Sequence, residues 1–279
     1  MSFAYYNEHD EFASEWLKEL IRRRLIADGM VDTRSIEEVK PDDIREFTQC
    51  HFFAGIGGWS LSARMAGIPD DFPLWTGSCP CQSFSEAGKR RGLDDNRHLW
   101  PVFHKLIDQC RPPVVVGEQV ESAIRHGWLD IVQSDMENSH YAFGSASLSA
   151  SSVGAPHIRQ RLYWGGVLSS LDDSDSFRRY RERAVGQESG ELERLPIDYK
   201  KSVPCDGSFW ANAEWREGRD KVSLCFEPGA QPLAYGVPER VGRLRGYGNA
   251  VVPQVGAGFL KSLFEAFNVY RMARNQGMA

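Results

Sequence analysis

Cys81 follows a proline and sits among small polar residues, in Gly77-Ser78-Cys79-Pro80-Cys81-Gln82-Ser83-Phe84-Ser85. Pro80 fixes the backbone just before it, so a thiol could be presented at the end of a strand. As a thiolate it would be a nucleophile, a state favoured by nearby positive charge, which Lys89-Arg90-Arg91 supply in the following loop. Glu118 ends the apolar run Pro113-Val114-Val115-Val116-Gly117. A partly desolvated carboxyl group there has a raised pKa and can donate a proton near neutral pH. Arg159 and Arg161 flank Gln160 ahead of Leu162-Tyr163-Trp164. Residues two apart on a strand share a face, so both guanidinium groups could reach one site. The turn Phe53-Ala54-Gly55-Ile56-Gly57-Gly58 lets backbone approach a ligand closely and opens a helix N-terminus. Taken singly, each has an ordinary alternative: an inert buried thiol, a helix-capping glutamate, two surface arginines, a turn that only joins strand to helix.

The elements that must position these groups read as alternating strands and helices. Cys50 to Ala54 is a short apolar strand before the glycine turn, and Trp59 to Ala66 is helical. A second unit has a strand at Leu74 to Gly77 and a helix at Leu99 to Gln109, and Pro113 to Gly117 forms the next strand. Apolar strands alternating with helices predict an α/β fold: a Rossmann-like, mainly parallel sheet with flanking helices. Ligands bind such sheets at the carboxyl ends of the strands. Gly58, Cys81 and Glu118 all fall just after predicted strands and are expected to share one edge.

The flanking segments are read separately. Apolar spacing predicts a helix over Glu11 to Ile26, stopped by Gly29, and Ser35 to Val39 reads as a strand. Residues 169 to 235 lose the alternating rhythm and are polar, with an aromatic cluster at Phe209, Trp210 and Trp215 and a basic run from Arg178 to Arg183. Phe259 to Tyr270 reads as an amphipathic closing helix. The expected organisation is an N-terminal helical segment (1–48) that completes the sheet, a catalytic and cofactor-binding domain (49–168), a small irregular target-recognition region (169–239) and a C-terminal return (240–279).

The net charge of −5 over 279 residues argues against a uniformly basic nucleic-acid binder, but the sign varies along the chain. A nucleic-acid enzyme needs one positive face, not a positive total. The six cysteines form no Cys-x-x-Cys pair and have no matching histidine spacing, so no metal site is expected. With no signal-peptide pattern and no apolar run long enough to cross a bilayer, the expected compartment is the cytoplasm, with no membrane partner.

In order and spacing together, these segments resemble the DNA cytosine-5 methyltransferase family, most closely its phage-type members, over residues 49 to 167 and 235 to 256. Phe53 to Gly58 resembles the cofactor-binding turn, Pro80-Cys81-Gln82 the nucleophile motif, and Gly92-Leu93-Asp94-Asp95-Asn96-Arg97 the segment after the catalytic loop. Glu118-Gln119-Val120 is similar to the Glu-Asn-Val motif, with Gln in place of Asn. Pro156-His157-Ile158-Arg159-Gln160-Arg161 is similar to the arginine motif, with His157 where Gln is usual. Gly248-Asn249-Ala250-Val251-Val252-Pro253 resembles the last motif, which folds back beside the cofactor site.

The resemblance implies transfer of a methyl group from S-adenosylmethionine to carbon 5 of a flipped cytosine, through a covalent Cys81 adduct. It implies catalytic roles for Cys81, Glu118, Arg159 and Arg161, one arginine holding the exocyclic oxygen of the base. It places the cofactor at Phe53, Ala54, Gly55, Ile56, Gly57, Gly58, Asn249, Ala250 and Val251. Double-stranded DNA is the expected partner, touched by Gln82, Ser85, Lys89, Arg90 and Arg91, and the chain is expected to act as a monomer in a bacterial or phage-infected cell. Two alternatives stay open: a tRNA cytosine-5 methyltransferase, and a catalytically silent nucleic-acid-binding relative.

One departure matters. Members usually carry two further strands between the glycine turn and the nucleophile, with acidic residues that hold the cofactor ribose and adenine. Here roughly fifteen residues separate Gly58 from Leu74, too few for two crossover units, and Asp70 and Asp71 are the only acids in the gap. Val31 to Ile44, with Asp32, is the expected substitute for the missing sheet portion.

Overall fold

The computed structural model describes residues 4–80, 99–155, 158–169, 214–217, 223–226 and 248–275. The chain opens with strand β1 (Ala4–Asn7), helix α1 (Glu11–Arg22) and strand β2 (Gly29–Asp32). A 3-10 turn (Ile36–Glu38) and the short helix α2 (Pro41–Ile44) lead to β3 (Gln49–Phe52), α3 (Gly58–Met65) and β4 (Leu74–Gly77). Then come α4 (Trp100–Cys110), β5 (Val114–Val120), α5 (Ser122–Arg125), α6 (Trp128–Asn138), β6 (Tyr141–Ser149) and β7 (Gln160–Leu168). The long helix α7 (Pro253–Asn275) closes the chain.

Seven strands form one sheet in the order β2-β1-β3-β4-β5-β7-β6. The first five are parallel, and β7 runs antiparallel to both β5 and β6. This is the expected Rossmann-like, mainly parallel sheet. Side chains alternate across it, so each face has its own core. Trp75, Val115 and Trp164 pack under α4 and α6 with Trp100, Phe103, Trp128 and Met136. Leu74, Val114, Val116 and Tyr163 pack under α3 and α7 with Trp59, Val255, Leu260 and Phe264. Among the described residues, no helix is long and apolar enough to cross a membrane.

The N-terminal expectations need three corrections. Helix α1 stops at Arg22, not Ile26, and Gly29 does not stop it. The stop is the left-handed Arg24 (φ 58°), whose turn lets Leu25 N–H donate to the Leu20 carbonyl at 3.0 Å. Gly29 instead opens β2, where a Cβ would collide with the Ala4 carbonyl of β1. The expected strand at Ser35 to Val39 is a 3-10 turn begun by Ser35, whose hydroxyl accepts from Glu37 N–H, and the strand lies upstream at Gly29–Asp32. Of Val31 to Ile44, the expected substitute for the missing sheet portion, only Val31 and Asp32 are in a strand; the sheet is extended by β2 and by β1, a strand outside that segment with no counterpart among the expected elements.

Downstream, β5 continues past Gly117 to Val120, so Glu118 lies inside a strand, not after it. Its parallel partner β4 pairs only as far as Thr76 with Val116. The antiparallel β7 carries the ladder on, with Glu118 opposite Tyr163 and Val120 opposite Arg161. The closing helix begins earlier than expected, at Pro253, a residue suited to a first helical turn. Of residues 169–235, Glu214–Glu217 and Ser223–Phe226 form an antiparallel two-stranded ladder; Phe209, Trp210 and Arg178 to Arg183 lie outside the described residues.

Candidate active site

The sheet reverses its winding between β1 and β3. From β1 the chain steps outward to β2, then returns to the other side of β1 at β3 and proceeds through β4 to β5. Strand ends part at such a switch point and leave a crevice for a ligand. Three strand ends are stitched together there. Glu8 N–H donates to the Asp32 carbonyl at 3.0 Å, and Ala54 N–H donates to the Asn7 carbonyl at 3.1 Å. The Glu8 carboxylate accepts from Gly55 N–H at 2.7 Å and from Asp10 N–H at 2.9 Å. Asp32 is 9% exposed and committed: it accepts from the Tyr5 hydroxyl at 2.8 Å and pairs with Arg34 at 2.6 Å. Burial opposes its ionisation, but these bonds outweigh burial and hold its carboxyl below the usual range.

The glycine turn leads from β3 into α3. Phe53, Gly55 and Gly57 have positive φ, and Gly57 at 80° caps α3. The space beside Gly55 is open within 4 Å of where a Cβ would project. Gly58 is close-packed: a Cβ there would lie 3.1 Å from the Val251 carbonyl oxygen and 3.2 Å from its Cβ. The last motif therefore lies against the first residue of α3. Ile56 is half-buried in the turn, and Asn249 is exposed on the returning segment.

Glu118 and Arg161 meet across the β5–β7 ladder, with Arg161 Nε 3.0 Å from Glu118 Oε1. The geometry follows from the register: Arg161 faces Val120, and Glu118 is two residues back on the same face. Glu118 is 8% exposed. Burial pushes its carboxyl up to about 7, against the pull of Arg161 and Arg159. Arg159, held at φ 32°, points its fork elsewhere: Nη1 donates to the Gly248 carbonyl at 2.9 Å and Nη2 to the Ala250 carbonyl at 2.7 Å.

Chain leaving β4 is anchored on both sides. Trp59 Nε1 donates to the Ser78 hydroxyl at 3.0 Å, and Gln119 Nε2 donates to the Cys79 carbonyl at 3.2 Å. The sequence then reaches Pro80 and Cys81. Cys81, Gln82, Ser85, Lys89, Arg90 and Arg91, together with Pro156 and His157, lie outside the described residues. The structure thus gathers Glu118, Arg161, Arg159, the glycine turn and Ala250–Val251 at one edge. Glu8 was not among the expected site residues. Its signal is a buried four-residue run, Ala-Tyr-Tyr-Asn, followed by an acid and then by the Asp10 cap of α1.

Residues 60–201, just over half of the chain, match the family model described as C-5 cytosine-specific DNA methylase. The type II methyltransferase M.HhaI of Haemophilus parahaemolyticus is 34% identical over 100 residues, 34% of this chain and 30% of that protein. The orphan methyltransferase M.Rho11sI of Bacillus phage rho11s is 32% identical over 135 residues, 46% of this chain and 26% of that protein. The type II methyltransferase M1.ScrFI of Lactococcus lactis subsp. cremoris is 28% identical over 202 residues, 69% of this chain and 51% of that protein. The matches thus span about half or less of the length of these relatives. On the strength of the family match, the chain is a member of the C-5 cytosine-specific DNA methylases.

Proposed function

We propose that this chain methylates carbon 5 of a cytosine flipped out of double-stranded DNA, with Cys81 as covalent nucleophile and S-adenosylmethionine as donor. The observation that carries this is the buried Glu118–Arg161 pair, one strand away from the anchored chain that leads into Cys81. The target base must leave the stack before side chains reach it. The Cys81 thiolate then forms a bond to ring carbon 6, and the displaced electron pair moves toward ring nitrogen 3. Glu118, protonated near neutral pH, donates to that nitrogen, and Arg161 holds the neighbouring exocyclic oxygen. Carbon 5 becomes nucleophilic and is alkylated. Transfer of the carbon 5 proton to solvent lets its electron pair re-form the 5–6 double bond as the carbon–sulfur bond breaks, which frees Cys81, and nitrogen 3 returns its proton to Glu118.

The residues at the switch point fit a nucleoside-type donor. The open turn at Gly55 and the Glu8 carboxylate beside it offer a close backbone approach and an acceptor for ribose hydroxyls. When bound, S-adenosylmethionine supplies an electrophilic methyl group. Asp32, already bonded to Tyr5 and Arg34, ends β2 beside Glu8. Gln82, Ser85, Lys89, Arg90 and Arg91 would contact the DNA backbone, by resemblance to the family. The chain would work as a monomer in the cytoplasm of a bacterial or phage-infected cell.

Gln119 takes the place of the family's asparagine, and its extra methylene still reaches the Cys79 carbonyl. Gln119→Ala should remove this hydrogen bond, cost about 1 kcal/mol of stability and slow adduct formation. Thermal melts and single-turnover kinetics would measure both. Unchanged adduct formation would remove Gln119 from the positioning of the cysteine loop.

Incubation with S-adenosylmethionine and duplex DNA containing 5-fluorocytosine tests the function. Fluorine at carbon 5 blocks the final elimination, so a covalent complex should survive a denaturing gel. Mass spectrometry should place the modified base on the peptide that contains Cys81. Absence of a complex on duplexes of mixed sequence, with cofactor bound, would overturn DNA as the substrate.

A further inference from the structure

We propose that Arg159 is a positioning residue: it clips the returning segment Gly248–Val251 against the start of α3, so the donor-side wall of the site forms only when its guanidinium is docked. This rests on reading the site as a methyl-transfer centre. The two arginines of one motif have different partners. Arg161 sits on Glu118. Arg159 spends two donors on carbonyls 89 and 91 residues further along the chain, Gly248 and Ala250. A planar fork that spans two carbonyls fixes both position and orientation of the backbone it holds.

What that backbone touches gives the clip a function. Val251 follows Ala250 directly and lies against Gly58, the first residue of α3, where a Cβ would sit tightly at 3.1 Å from the Val251 carbonyl oxygen. The sequence of contacts runs from Arg159 to Ala250, to Val251, to Gly58 and so to the glycine turn. Arg159 is also close enough to Glu118 to influence its charge, so the clip begins beside the base-holding pair and ends on the donor side. Beyond Val251 the same arrangement is held by helix packing, where Gly256 of α7 approaches Ser62 and Trp59 of α3. Among the described residues, Arg159 therefore secures a part of the return, Gly248–Ala250, that lies ahead of the helix packing. If the docked state is the binding-competent one, undocking lowers apparent donor affinity in proportion to the docked fraction lost.

The experiment compares wild type, Arg159→Ala, Arg159→Lys and Arg161→Ala in two measurements made without DNA. Calorimetry with S-adenosylhomocysteine should show about tenfold weaker binding for Arg159→Ala, as expected if ~90% of the docked population is lost. Arg159→Lys, which keeps the charge but not the fork, should fall between. Arg161→Ala should bind within about twofold of wild type, because its partner lies outside this chain of contacts. Hydrogen exchange should speed up over residues 248–258 in Arg159→Ala and stay at the wild-type rate in Arg161→Ala. Wild-type donor affinity in Arg159→Ala would overturn the proposal, as would equal losses in both alanine variants. If wild type itself binds no donor, the methyl-transfer reading fails. Exchange over 248–258 then still decides the clip: unchanged exchange in Arg159→Ala refutes it, and selective acceleration supports it.

Discussion

Glu118→Gln should slow methyl transfer by about 10²–10⁴-fold, the usual contribution of a positioned general acid, while making the protein more resistant to unfolding at alkaline pH. Both effects have one cause. Burial on the β5–β7 ladder raises the Glu118 carboxyl to about 7, from an ordinary 4.5. Between those values the folded protein keeps a proton that the unfolded chain has released. Stability therefore falls as pH rises through this window, and the full penalty is present above about 7. The interval corresponds to on the order of 3 kcal/mol. Glutamine is neutral throughout and carries no such penalty. Relative to wild type, the variant should gain on the order of 3 kcal/mol between pH 4 and pH 8. Carboxylates held low by partners, such as Asp32 with Arg34, contribute in the opposite direction but cancel in the comparison. Denaturant melts of both proteins at the two pH values measure the gain, and kcat/KM of wild type should decline above about pH 7. A pH-independent stability difference would show that Glu118 ionises normally; an undiminished rate would remove it from the chemistry.

The division of labour between the two arginines explains why sequence could name both and separate neither. Their spacing predicts one strand face, but β7 begins at Gln160 and only Arg161 is in the strand. Which guanidinium reaches Glu118 depends on the antiparallel register of β7, and Arg161 is chosen because it stands opposite Val120. Arg159 lies just ahead of β7, where a positive φ turns it toward a segment 89 residues away. The same limit applies to Glu118. An apolar run ending in an acid reads as the end of a strand, but burial continues through Glu118 and Gln119, because the antiparallel partner that extends β5 to Val120 is remote in sequence.

The elements after the glycine turn were legible: β4 lies at its expected residues, and α3 and α4 within one residue of theirs. Strand β1 was not: like β4 it has four residues, all buried, too few to show alternation, and it lacks the preceding strand, glycine turn and helix that marked where β4 should begin. The helix stop at Arg24 was hidden as well, because a left-handed residue is expected to be glycine and here is arginine.

That short strand bears on the departure from the family pattern. The roughly fifteen residues between Gly58 and Leu74 cannot hold two crossover units, yet the sheet has two strands beyond β3, taken from the chain ahead of it. A ligand at a sheet edge meets strand ends, not the order in which the chain visits them, so the earlier segment can supply the acids that usually come later. Glu8→Ala should therefore weaken S-adenosylhomocysteine binding by ~10–100-fold, the cost of losing an ionised acceptor for two hydroxyls together with the hold on Gly55. Glu8→Gln should keep an acceptor for Gly55 N–H, and with it the turn, yet recover little of the affinity, because the charge is gone. Asp70→Asn is the internal control. Asp70 lies in the short gap where an acid would ordinarily be sought, but its carboxylate is paired with Arg64 at 2.6 Å. Its loss should leave donor affinity within about twofold of wild type. Calorimetry on the three variants decides between the two locations: an Asp70 variant that loses affinity while Glu8→Ala keeps it would move the ribose site into the gap and leave β1 and β2 as sheet edge alone.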